Sequence, residues 1–375
     1  MKRALVIGGS NGIGLALVHK LLNENYNKIY IVDRDKPDIE DIRIVFYRLN
    51  LVTEEYTLFD ELQDIDTLIY TAGFGRVAPF EALTETEIVN NFRVNTLGFI
   101  RIIQKYYQKF LSAEPFYCAV MGSIAGYISS PLFSIYGASK AALVKFVESV
   151  NVELSKKGTK NRILNISPGS IKGTRFNDGK NDLSLTDNLA NEIIHKMLNH
   201  ETEYIPDYDS IYKRVLTEYF ENKEQFGANS YDYKEKSERT STRPQVRIGY
   251  LSGTFDLFHI GHLNLIKRAK KYCDYLVVGV HKDASHKGKE TYIPFDERVA
   301  VLESVKYVDK VIQSLPEDDA VHDLIGYHYL FVGSDYKGSE RFNRYEENLG
   351  PKGVKIIYFS YTTSTSSTKI RESIT

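Results

Sequence analysis

The chain of 375 residues has no tryptophan, only two cysteines and almost no net charge. Cys118 and Cys273 each lie in or beside an apolar run, which predicts buried free thiols and a reducing, cytoplasmic compartment. A net charge of −1 gives no indication of a nucleic-acid or membrane-surface partner. No apolar run approaches the roughly 18–20 residues of a membrane span, and the first run is too short for a signal peptide. No cluster of cysteine and histidine indicates zinc, so no protein-bound metal is predicted.

The composition that remains is that of an ordinary globular protein, with 42% hydrophobic and 26% charged residues, and the length suits two domains. Residues 223–245 are polar, charged and poor in aliphatic side chains, which predicts a linker. The predicted organisation is therefore a first domain over 1–222, this linker, and a second domain over 246–375. Apolar runs alternate with helical patterns in both halves, which predicts two α/β domains, each a mostly parallel sheet with helices on both faces.

The first domain opens with an apolar strand over 4–7, a glycine-rich turn over 8–14 and a helix. A second strand over 28–32 ends at Asp33. Glycines let the backbone approach a pyrophosphate, and a carboxylate about twenty positions later can accept ribose hydroxyls, so the unit is typical of dinucleotide binding. The predicted cofactor contacts in it are Gly8, Ser10, Asn11, Gly12, Ile13, Gly14, Asp33 and Arg34.

The glycine spacing resembles that of the short-chain dehydrogenase/reductase family, and further motifs follow in that family's order over about residues 1–210. The matching residues are Ala72 and Gly73 in Thr-Ala-Gly, Asn95, Ser123, Tyr136 and Lys140 in Tyr-x-x-x-Lys, and Pro168-Gly169. Ser123 precedes Tyr136 by thirteen positions (136 − 123), a usual separation in that family. The resemblance implies a Rossmann-type reductase with a nicotinamide cofactor. It adds Asn50, Leu51, Ala72, Gly73, Pro168 and Gly169 to the expected cofactor contacts.

The resemblance implies a catalytic group whose chemistry is physically reasonable. Tyr136 and Lys140 are four residues apart, so they share a helix face. A phenol has an ordinary pKa of about 10, and a nearby ammonium is expected to lower the pKa of Tyr136 toward neutrality. Tyr136 would then protonate a carbonyl oxygen that Ser123 also holds, while Asn95 anchors a relay water. Tyr-x-x-x-Lys alone would more often be an exposed helical pair, but the other motifs argue against that reading.

Two features of the first domain leave alternatives open. Asp33 would repel a 2′-phosphate and favours NAD, whereas Arg34 could bind that phosphate and favours NADP; NAD is slightly preferred. Lys172, Arg175 and Lys180 follow the Pro-Gly motif in a polar loop. They suit an anionic substrate such as a sugar phosphate, and they suit an ordinary solvated loop equally well.

In the second domain, residues 253–262 read Gly-Thr-Phe-Asp-Leu-Phe-His-Ile-Gly-His and stand between an apolar strand and a helical pattern. Strand, turn and helix together direct backbone N–H groups and a helix N-terminus toward an anion. His259 and His262 share one face of the first helical turn and could hold phosphate oxygens as negative charge builds. Gly253 and Gly261 are expected to leave room for a phosphate.

This segment resembles the signature of cytidylyltransferases of the glycerol-3-phosphate and phosphoethanolamine type, and the resemblance covers roughly residues 246–374. Further matching residues are Lys287, Lys289, Arg298, Asp335 in Gly-Ser-Asp-Tyr-Lys-Gly, and Ser366, Ser367 and Thr368 before Lys-Ile. That family transfers a cytidylyl group from CTP to a phosphorylated alcohol and releases pyrophosphate.

The resemblance also implies a role for each matching residue. His259, His262, Lys287 and Lys289 would neutralise charge beside a Mg²⁺ carried by the triphosphate, and Arg298 would hold the acceptor's phosphate. The other implied contacts to CTP or substrate are Gly253, Thr254, Phe255, Asp256, Gly261, Asp335, Ser366, Ser367 and Thr368. The sequence departs from the family at Tyr361, where the family often has arginine, so substrate preference is in doubt.

Two enzyme-like domains on one chain suggest consecutive steps. A carbonyl phosphate would be reduced to a polyol phosphate and then converted to a CDP-polyol such as CDP-ribitol or CDP-glycerol, which resemble precursors of teichoic-acid-like or capsular polymers. In one alternative the reductase acts on a different or CDP-linked substrate. In others it is a non-catalytic oligomerisation scaffold, or the second domain transfers another nucleotide. By analogy, the chain is expected to form a dimer or tetramer.

Overall fold

A computed structural model describes residues 2–53, 56–174, 176, 181–237, 246–283, 291–360 and 370. The chain divides into two compact units, Met1–Gln245 and Val246–Thr375. Each unit is an α/β fold built on a parallel sheet, as the sequence predicts. Within the described part of the chain, every helix is too short or too polar to cross a membrane.

The sheet of the first unit has seven parallel strands in the order β3-β2-β1-β4-β5-β6-β7. They are β1 (Lys2–Ile7), β2 (Tyr26–Asp33), β3 (Ile44–Arg48), β4 (Thr67–Tyr70), β5 (Tyr117–Met121), β6 (Ile163–Ile166) and β7 (Glu203–Tyr204). The chain runs outward from β1 in both directions, so the order reverses between β1 and β4. Ligands of open parallel sheets bind in the crevice at the carboxyl ends of such strands.

Helices cover both faces of this sheet. They are α1 (Gly12–Asn23), α2 (Leu58–Glu61), α3 (Glu85–Phe92), α4 (Gly98–Leu111), α5 (Ser134–Lys156), α6 (Asp187–Leu198), α7 (Lys213–Glu221) and α8 (Lys223–Lys236). Alternate residues of β1 enter different cores: Leu5 packs with α4 and α5, and Val6 packs with α1 and α6. A central strand buried on both faces explains why its sequence is a continuous apolar run.

The polar stretch predicted as a linker over 223–245 is helical in its described part. Asn222 accepts a hydrogen bond from the N–H of Gln225 at 3.0 Å and thereby caps the start of α8, which continues to Lys236. Lys234 then donates to the loop before α5. Helix α8 belongs to the first unit although none of its residues is buried, so its composition resembles that of a linker.

The second unit has five parallel strands in the order β10-β9-β8-β11-β12. They are β8 (Ile248–Gly253), β9 (Tyr275–Val280), β10 (Lys310–Gln313), β11 (Tyr329–Gly333) and β12 (Lys355–Phe359). Its helices are α9 (Ile260–Lys270), α10 (Phe295–Glu303), α11 (Asp318–Ile325) and α12 (Glu340–Leu349). Leu251 packs beneath α9 and α10, and Tyr250 packs beneath α11 and α12. The order reverses between β8 and β11, which places a ligand crevice beside the end of β8.

Both cysteines are buried free thiols, as predicted. Cys118 lies in β5 and Cys273 lies just before β9. Burial raises the pKa of each thiol, so neither is a reactive thiolate.

Candidate active sites

The glycine-rich turn of the first unit packs against the residues that follow β4. Gly8 has φ +86°, and a Cβ there would lie 2.5 Å from the backbone nitrogen of Ala72. A Cβ on Gly14 would collide with the carbonyl oxygen of Gly8. Glycine is therefore required at both positions for steric reasons, and the turn lies at the reversal point of the sheet.

The carboxylate of Asp33 holds this turn to the end of β2. Asp33 accepts a hydrogen bond from the N–H of Ser10 at 3.1 Å and another from the N–H of Arg34 at 2.7 Å. The hydroxyl of Ser10 donates to the carbonyl oxygen of Asp35 at 2.6 Å. Ser10 thus uses its hydroxyl proton within the protein, and its predicted role as a cofactor contact stays a prediction.

Asn181 contacts the same turn and could not be found from the sequence. Its amide oxygen accepts the N–H of Gly12 at 3.1 Å, and its amide nitrogen donates to the side-chain oxygen of Asn11 at 3.0 Å. Ile13, in contrast, packs against the hydrophobic core. The amide oxygen of Asn181 therefore occupies the place where an anion would accept the N–H group of the turn.

Asn50 and Leu51, predicted to contact adenine, point into the protein. Asn50 is 1% exposed, and its side-chain oxygen accepts the N–H of Val52 at 3.1 Å. Leu51 belongs to the hydrophobic core on the α4 and α5 face. Asn50 thereby caps the short helical turn after β3, and the cofactor contacts predicted at these two positions stay predictions.

The residues predicted to catalyse reduction meet beside the carboxyl ends of β4 and β5. Tyr136 and Lys140 share one face of α5, and the Lys140 ammonium lies 5.6 Å from the centre of the Tyr136 ring. Lys140 donates to the carbonyl oxygen of Met121 at 2.7 Å. Tyr136 forms a hydrogen bond with Ser123, which follows β5. The end of β5 and one face of α5 thus bring three residues into one polar cluster in an apolar surrounding.

The expected effect of the lysine on the tyrosine is wrong for the protein chain alone. Burial raises the pKa of Tyr136 to about 12, and the hydrogen bond with Ser123 only partly opposes this. Burial also lowers the pKa of Lys140 to about 7. Removal from water penalises the phenolate and the ammonium alike, so burial favours the neutral form of both side chains.

Asn95 lies in a π-helical turn, Arg93–Leu97, just before α4. Its amide oxygen accepts the N–H of Phe74 at 3.0 Å, and its amide nitrogen donates to the side chain of Asn91 at 2.8 Å. Asn91 in turn donates to the carbonyl oxygen of Phe74 at 2.9 Å. A Cβ on Gly73 would lie 3.2 Å from Asn95 and 3.3 Å from the Lys140 ammonium. Asn95 therefore borders the cluster, as predicted, and Asn91 supports it.

Aromatic residues that sequence reasoning missed surround Tyr136. The Phe133 ring stacks on the Tyr136 ring at 4.2 Å between centroids, and Phe176 lies 5.3 Å from the same ring. The Pro168 carbonyl accepts the N–H of Ile124, which keeps the predicted Pro-Gly motif beside Ser123. Phe133 and Phe176 belong to none of the sequence motifs, so motif spacing does not predict that their rings contact Tyr136.

Tyr212 lies over Gly169, the second residue of the Pro-Gly motif. Its phenol oxygen occupies the position where Gly169 would carry a Cβ. Tyr212 comes from a π-helical turn, Tyr208–Tyr212, at the start of α7. Such turns are frequent at functional sites. Gly169 is therefore needed because a tyrosine packs there.

In the second unit, His259 and His262 face each other at the start of α9. Their ring centroids are 4.0 Å apart, and the Phe255 and Phe258 rings flank His262. His259 caps the helix, since its Nδ1 accepts the N–H of Gly261 at 3.0 Å. Burial lowers the pKa of His259, so the ring is neutral at pH 7. A neutral ring that accepts at Nδ1 carries its proton on Nε2, which is then a donor for an anion.

Asp256 holds a loop of the site in place. Its carboxylate accepts the N–H groups of Tyr292 and Ile293 at 3.2 and 3.0 Å. The residues on either side, Phe255 and Leu257, have φ of +53° and +50°. Left-handed conformations are uncommon for such residues and concentrate at functional sites. The predicted substrate contact at Asp256 is thus a loop anchor in this structure.

Arg298, predicted to hold an acceptor phosphate, is committed to the backbone and is only 2% exposed. Its Nη1 donates to the carbonyl oxygens of Thr254 and His281. Its Nη2 donates to the carbonyl oxygen of Lys282 at 2.7 Å, and its Nε donates to the carbonyl oxygen of Ile293 at 2.9 Å. Four of its five N–H groups are used in this way. Arg298 therefore joins the loops that follow β8 and β9 and does not present its charge to a ligand.

Other residues of the second unit that are predicted to contact CTP or substrate pack against the protein itself. A Cβ on Gly253 would lie 3.1 Å from the Phe255 ring, so this glycine makes room for a ring and not for a phosphate. The carboxylate of Asp335 packs on Gly333 in the turn after β11. The hydroxyl oxygen of Thr254 is buried and forms no hydrogen bond within the described residues.

Two protein-family models match the chain. The short chain dehydrogenase model matches residues 2–183, and the cytidylyltransferase-like model matches residues 250–373. The glycerol-3-phosphate cytidylyltransferase of Bacillus subtilis (strain 168) is 36% identical over 126 residues, which are 32% of this chain and 92% of that protein. The chain belongs to the cytidylyltransferase family through its second unit. The first unit matches the model of an oxidoreductase family, so we call the two units the dehydrogenase unit and the cytidylyltransferase unit.

Relatives of the dehydrogenase unit are more distant. A dehydrogenase of Cochliobolus heterostrophus is 31% identical over 163 residues, which are 41% of this chain and 61% of that protein. A short chain dehydrogenase of Burkholderia cenocepacia, solved in complex with NADP, has a TM-score of 0.51 and 20% identity, and covers 61% of this chain and 99% of its own. At that identity the likeness shows the fold alone.

Some predicted site residues lie outside the described residues. In the cytidylyltransferase unit these are Lys287, Lys289, Tyr361, Ser366, Ser367 and Thr368. In the dehydrogenase unit they are Arg175 and Lys180. Their predicted roles stay predictions.

Proposed function

We propose that this chain makes a CDP-polyol in two steps. The dehydrogenase unit reduces a keto or aldo sugar phosphate to a polyol phosphate, and the cytidylyltransferase unit joins that phosphate to CTP with release of pyrophosphate. The observation that carries the proposal is the cluster of Ser123, Tyr136 and Lys140 in a unit fused to a relative of glycerol-3-phosphate cytidylyltransferase. A polyol phosphate is both the product of the first chemistry and the substrate of the second.

For the reduction, Tyr136 gives a proton to the carbonyl oxygen and Ser123 donates a hydrogen bond to it. The raised pKa of Tyr136 suits an acid, since the phenol keeps its proton at pH 7 until the oxygen becomes basic. Lys140, within this cluster, and Asn95, beside it, lead the replacement proton to the phenol.

The residues present fit a nicotinamide cofactor, which supplies a hydride when bound. Gly8 and Gly14 allow the turn to close on the segment after β4, where larger residues would collide with the backbone, and Asp33 lies at the end of β2. We propose NAD, slightly ahead of NADP. Arg34 would attract a 2′-phosphate, but the carboxylate of Asp33 would repel it and lies at the end of the strand itself. Each oxygen of Asp33 that accepts an N–H group keeps capacity for a ribose hydroxyl.

For the transfer, a phosphate oxygen of the polyol phosphate attacks the α-phosphorus of CTP, and the bond to the β-phosphate breaks. His259 and His262 donate to the phosphate oxygens as charge builds, with Lys287 and Lys289. We propose Mg²⁺ as a companion of CTP, coordinated by the triphosphate. Arg298 acts indirectly, by fixing the loops around the two histidines.

The relatives favour a three-carbon acceptor, because glycerol 3-phosphate is named for three of them. A five-carbon acceptor that yields CDP-ribitol is the second candidate, since the fusion to a reductase points to a polyol phosphate made for this purpose. We further propose that the product is a precursor of a cell-surface polymer, that the reactions take place in the cytoplasm, and that the chain forms a homo-oligomer.

The test is a coupled assay of the full chain with CTP, Mg²⁺, NADH or NADPH and a panel of three- to six-carbon keto and aldo phosphates. A CDP-linked polyol detected by mass would support the proposal, and the product mass identifies the acceptor. Consumption of CTP with ready-made polyol phosphates, but no oxidation of either cofactor by any carbonyl phosphate, would contradict the order of steps. Activity with ATP in place of CTP would contradict the nucleotide.

A further inference from the structure

Helix α8 contacts the loop over 129–133, which leads from the end of β5 to the start of α5. Lys234, on α8, donates to the hydroxyl of Ser130 at 2.8 Å and to the carbonyl oxygen of Pro131 at 2.9 Å. It also donates to Ser230 of its own helix at 3.1 Å. An ammonium has three protons, and these three hydrogen bonds account for all of them.

These hydrogen bonds all go to neutral oxygens, and none goes to a carboxylate. Burial lowers the pKa of Lys234 to about 8, so the group remains mostly charged at pH 7. Hydrogen bonds from a charged donor are about twice as strong as those between neutral groups. Lys234 therefore holds the Pro131 peptide more firmly than a neutral side chain would.

The loop that Lys234 holds contains an unusual backbone conformation. Leu132 has φ +60°, in the left-handed region, although it is neither glycine nor asparagine. It is buried, and its carbonyl oxygen accepts the N–H of Ala78 at 2.7 Å. A conformation of this kind persists only where neighbouring contacts determine it. Lys234 supplies such a contact at Pro131, the residue directly before Leu132.

Phe133, the residue directly after Leu132, contacts Tyr136, which is the proposed acid. Phe133 stacks on Tyr136 with an interplanar angle of 19°, and its carbonyl oxygen accepts the N–H of Gly137 at 2.9 Å. A Cβ on Gly75 would lie 2.8 Å from the Phe133 ring and 2.5 Å from the Tyr136 ring, so the two rings are packed tightly on this side. A shift of the loop would therefore move the Tyr136 ring.

We propose that Lys234 is a positioning residue for carbonyl reduction, because it fixes the loop over 129–133 and, through Phe133, the ring of Tyr136. The inference rests on the proposed reductase function. Helix α8 lies beyond residues 2–183, the part of the chain that the short chain dehydrogenase model matches.

The experiment compares four full-length proteins: the natural chain, Lys234→Met, Lys234→Arg and Lys236→Met. Lys236→Met is the matched control, since Lys236 is an exposed residue of the same helix. Steady-state reduction gives kcat and the KM of each substrate, and cytidylyl transfer is measured on the same samples. Hydrogen exchange of the amides over 129–137 reports on the loop without any need for turnover.

Lys234→Met is expected to lower kcat for reduction by about tenfold to a hundredfold, the scale for a misplaced reacting group. The KM of the nicotinamide cofactor and the rate of cytidylyl transfer should stay unchanged, and exchange over 129–137 should become faster. Lys234→Arg should restore most of the lost kcat, and Lys236→Met should behave like the natural chain.

A kcat for Lys234→Met within twofold of the natural chain would overturn the proposal, and so would unchanged exchange over 129–137. Equal losses in Lys234→Met and Lys234→Arg would also contradict it, because the charged donor would then be irrelevant. If the natural chain reduces no carbonyl phosphate, the proposed function fails separately, and the exchange comparison still decides whether Lys234 holds the loop.

Discussion

Arg298 illustrates how one residue can serve a site without contacting its ligand. A guanidinium with four carbonyl partners is almost fully buried beneath the loops that carry the histidine motif. Buried charges are tolerated where hydrogen bonds satisfy them, and removal of the partner groups is costly. The contribution of Arg298 to catalysis is therefore expected to be loop geometry.

Arg298→Lys should lower kcat for cytidylyl transfer by at least tenfold, because an ammonium has three protons and cannot reach four carbonyl oxygens. The free energy of unfolding of the second unit should fall by about 2–4 kcal/mol as charged hydrogen bonds are lost. Initial rates and urea denaturation measure the two effects, with Arg344→Lys at an exposed site as the control. A rise in the KM of the acceptor alone, with unchanged stability, would restore a direct role in phosphate binding.

Lys140 is a second buried residue, and its burial penalises the charged form of the side chain. Its ammonium is buried, and burial lowers its pKa to about 7. Between pH 7 and about 10.4, the ordinary lysine value, the unfolded chain binds a proton that the folded chain does not. The free energy of unfolding of the natural chain should therefore rise with pH over this window. Keeping the lysine favours function over stability.

Lys140→Met is expected to abolish reduction and yet to stabilise the first unit most strongly at or below pH 7. The gain in free energy of unfolding should shrink as the pH rises to about 10, where the lysine is neutral in the unfolded chain as well and folding no longer requires the loss of a proton. Urea denaturation of both proteins at pH 6, 8 and 9.5 measures the difference. A stability difference that does not depend on pH would show that burial does not depress the pKa of Lys140.

At the scale of elements, the glycine-rich turn is a close contact between β1, α1 and the segment after β4. Gly14 has the Gly8 carbonyl where its Cβ would lie, whereas Gly227 in α8 has its nearest neighbour, Pro131, at 4.0 Å. The two glycines therefore make a matched pair, one without space for a methyl group and one with ample space.

Gly14→Ala should weaken binding of NADH by at least tenfold, because the turn must open to admit the methyl group. Gly227→Ala should leave binding unchanged and should raise the free energy of unfolding by up to about 1 kcal/mol, the helix preference of alanine over glycine. Titration followed by NADH fluorescence measures affinity, and thermal denaturation measures stability. Equal affinities for the two variants would mean that the turn is not part of the cofactor site.

At the scale of the whole molecule, each unit contains its own hydrophobic cores and its own cluster of polar site residues. Tyr136 is buried in the first unit, and His262 lies at the start of α9 in the second. Because the two proposed reactions use separate residues, a substitution that abolishes one reaction should leave the rate of the other unchanged.

Tyr136→Phe should lower reduction by about a hundredfold or more, the range for loss of a general acid, and leave cytidylyl transfer unchanged. His262→Ala should do the reverse. An equimolar mixture of the two variants should convert a carbonyl phosphate to the CDP-polyol, as measured by product mass over time. A mixture that forms the polyol phosphate but no CDP-polyol would show that the intermediate does not pass between chains.

Much of this protein follows from local pattern. The strands predicted over 4–7 and 28–32 lie within β1 and β2 of the structure, because a buried parallel strand must be a short apolar run. The glycine-rich turn and the two histidines were equally evident, since their chemistry depends on neighbours a few residues away. For the same reason the parallel α/β class was predicted correctly in both halves.

Contacts between distant segments were beyond the reach of sequence pattern. The partners of Arg298, the inward turn of Asn50, the stacking of Phe133 and the packing of α8 all depend on residues brought together by the fold. The pKa of Tyr136 is the clearest example: spacing predicts a lowering by the lysine one turn away, and burial raises it. Spacing along a helix specifies which side chains are neighbours, but the amount of water excluded around them is a property of the packed protein.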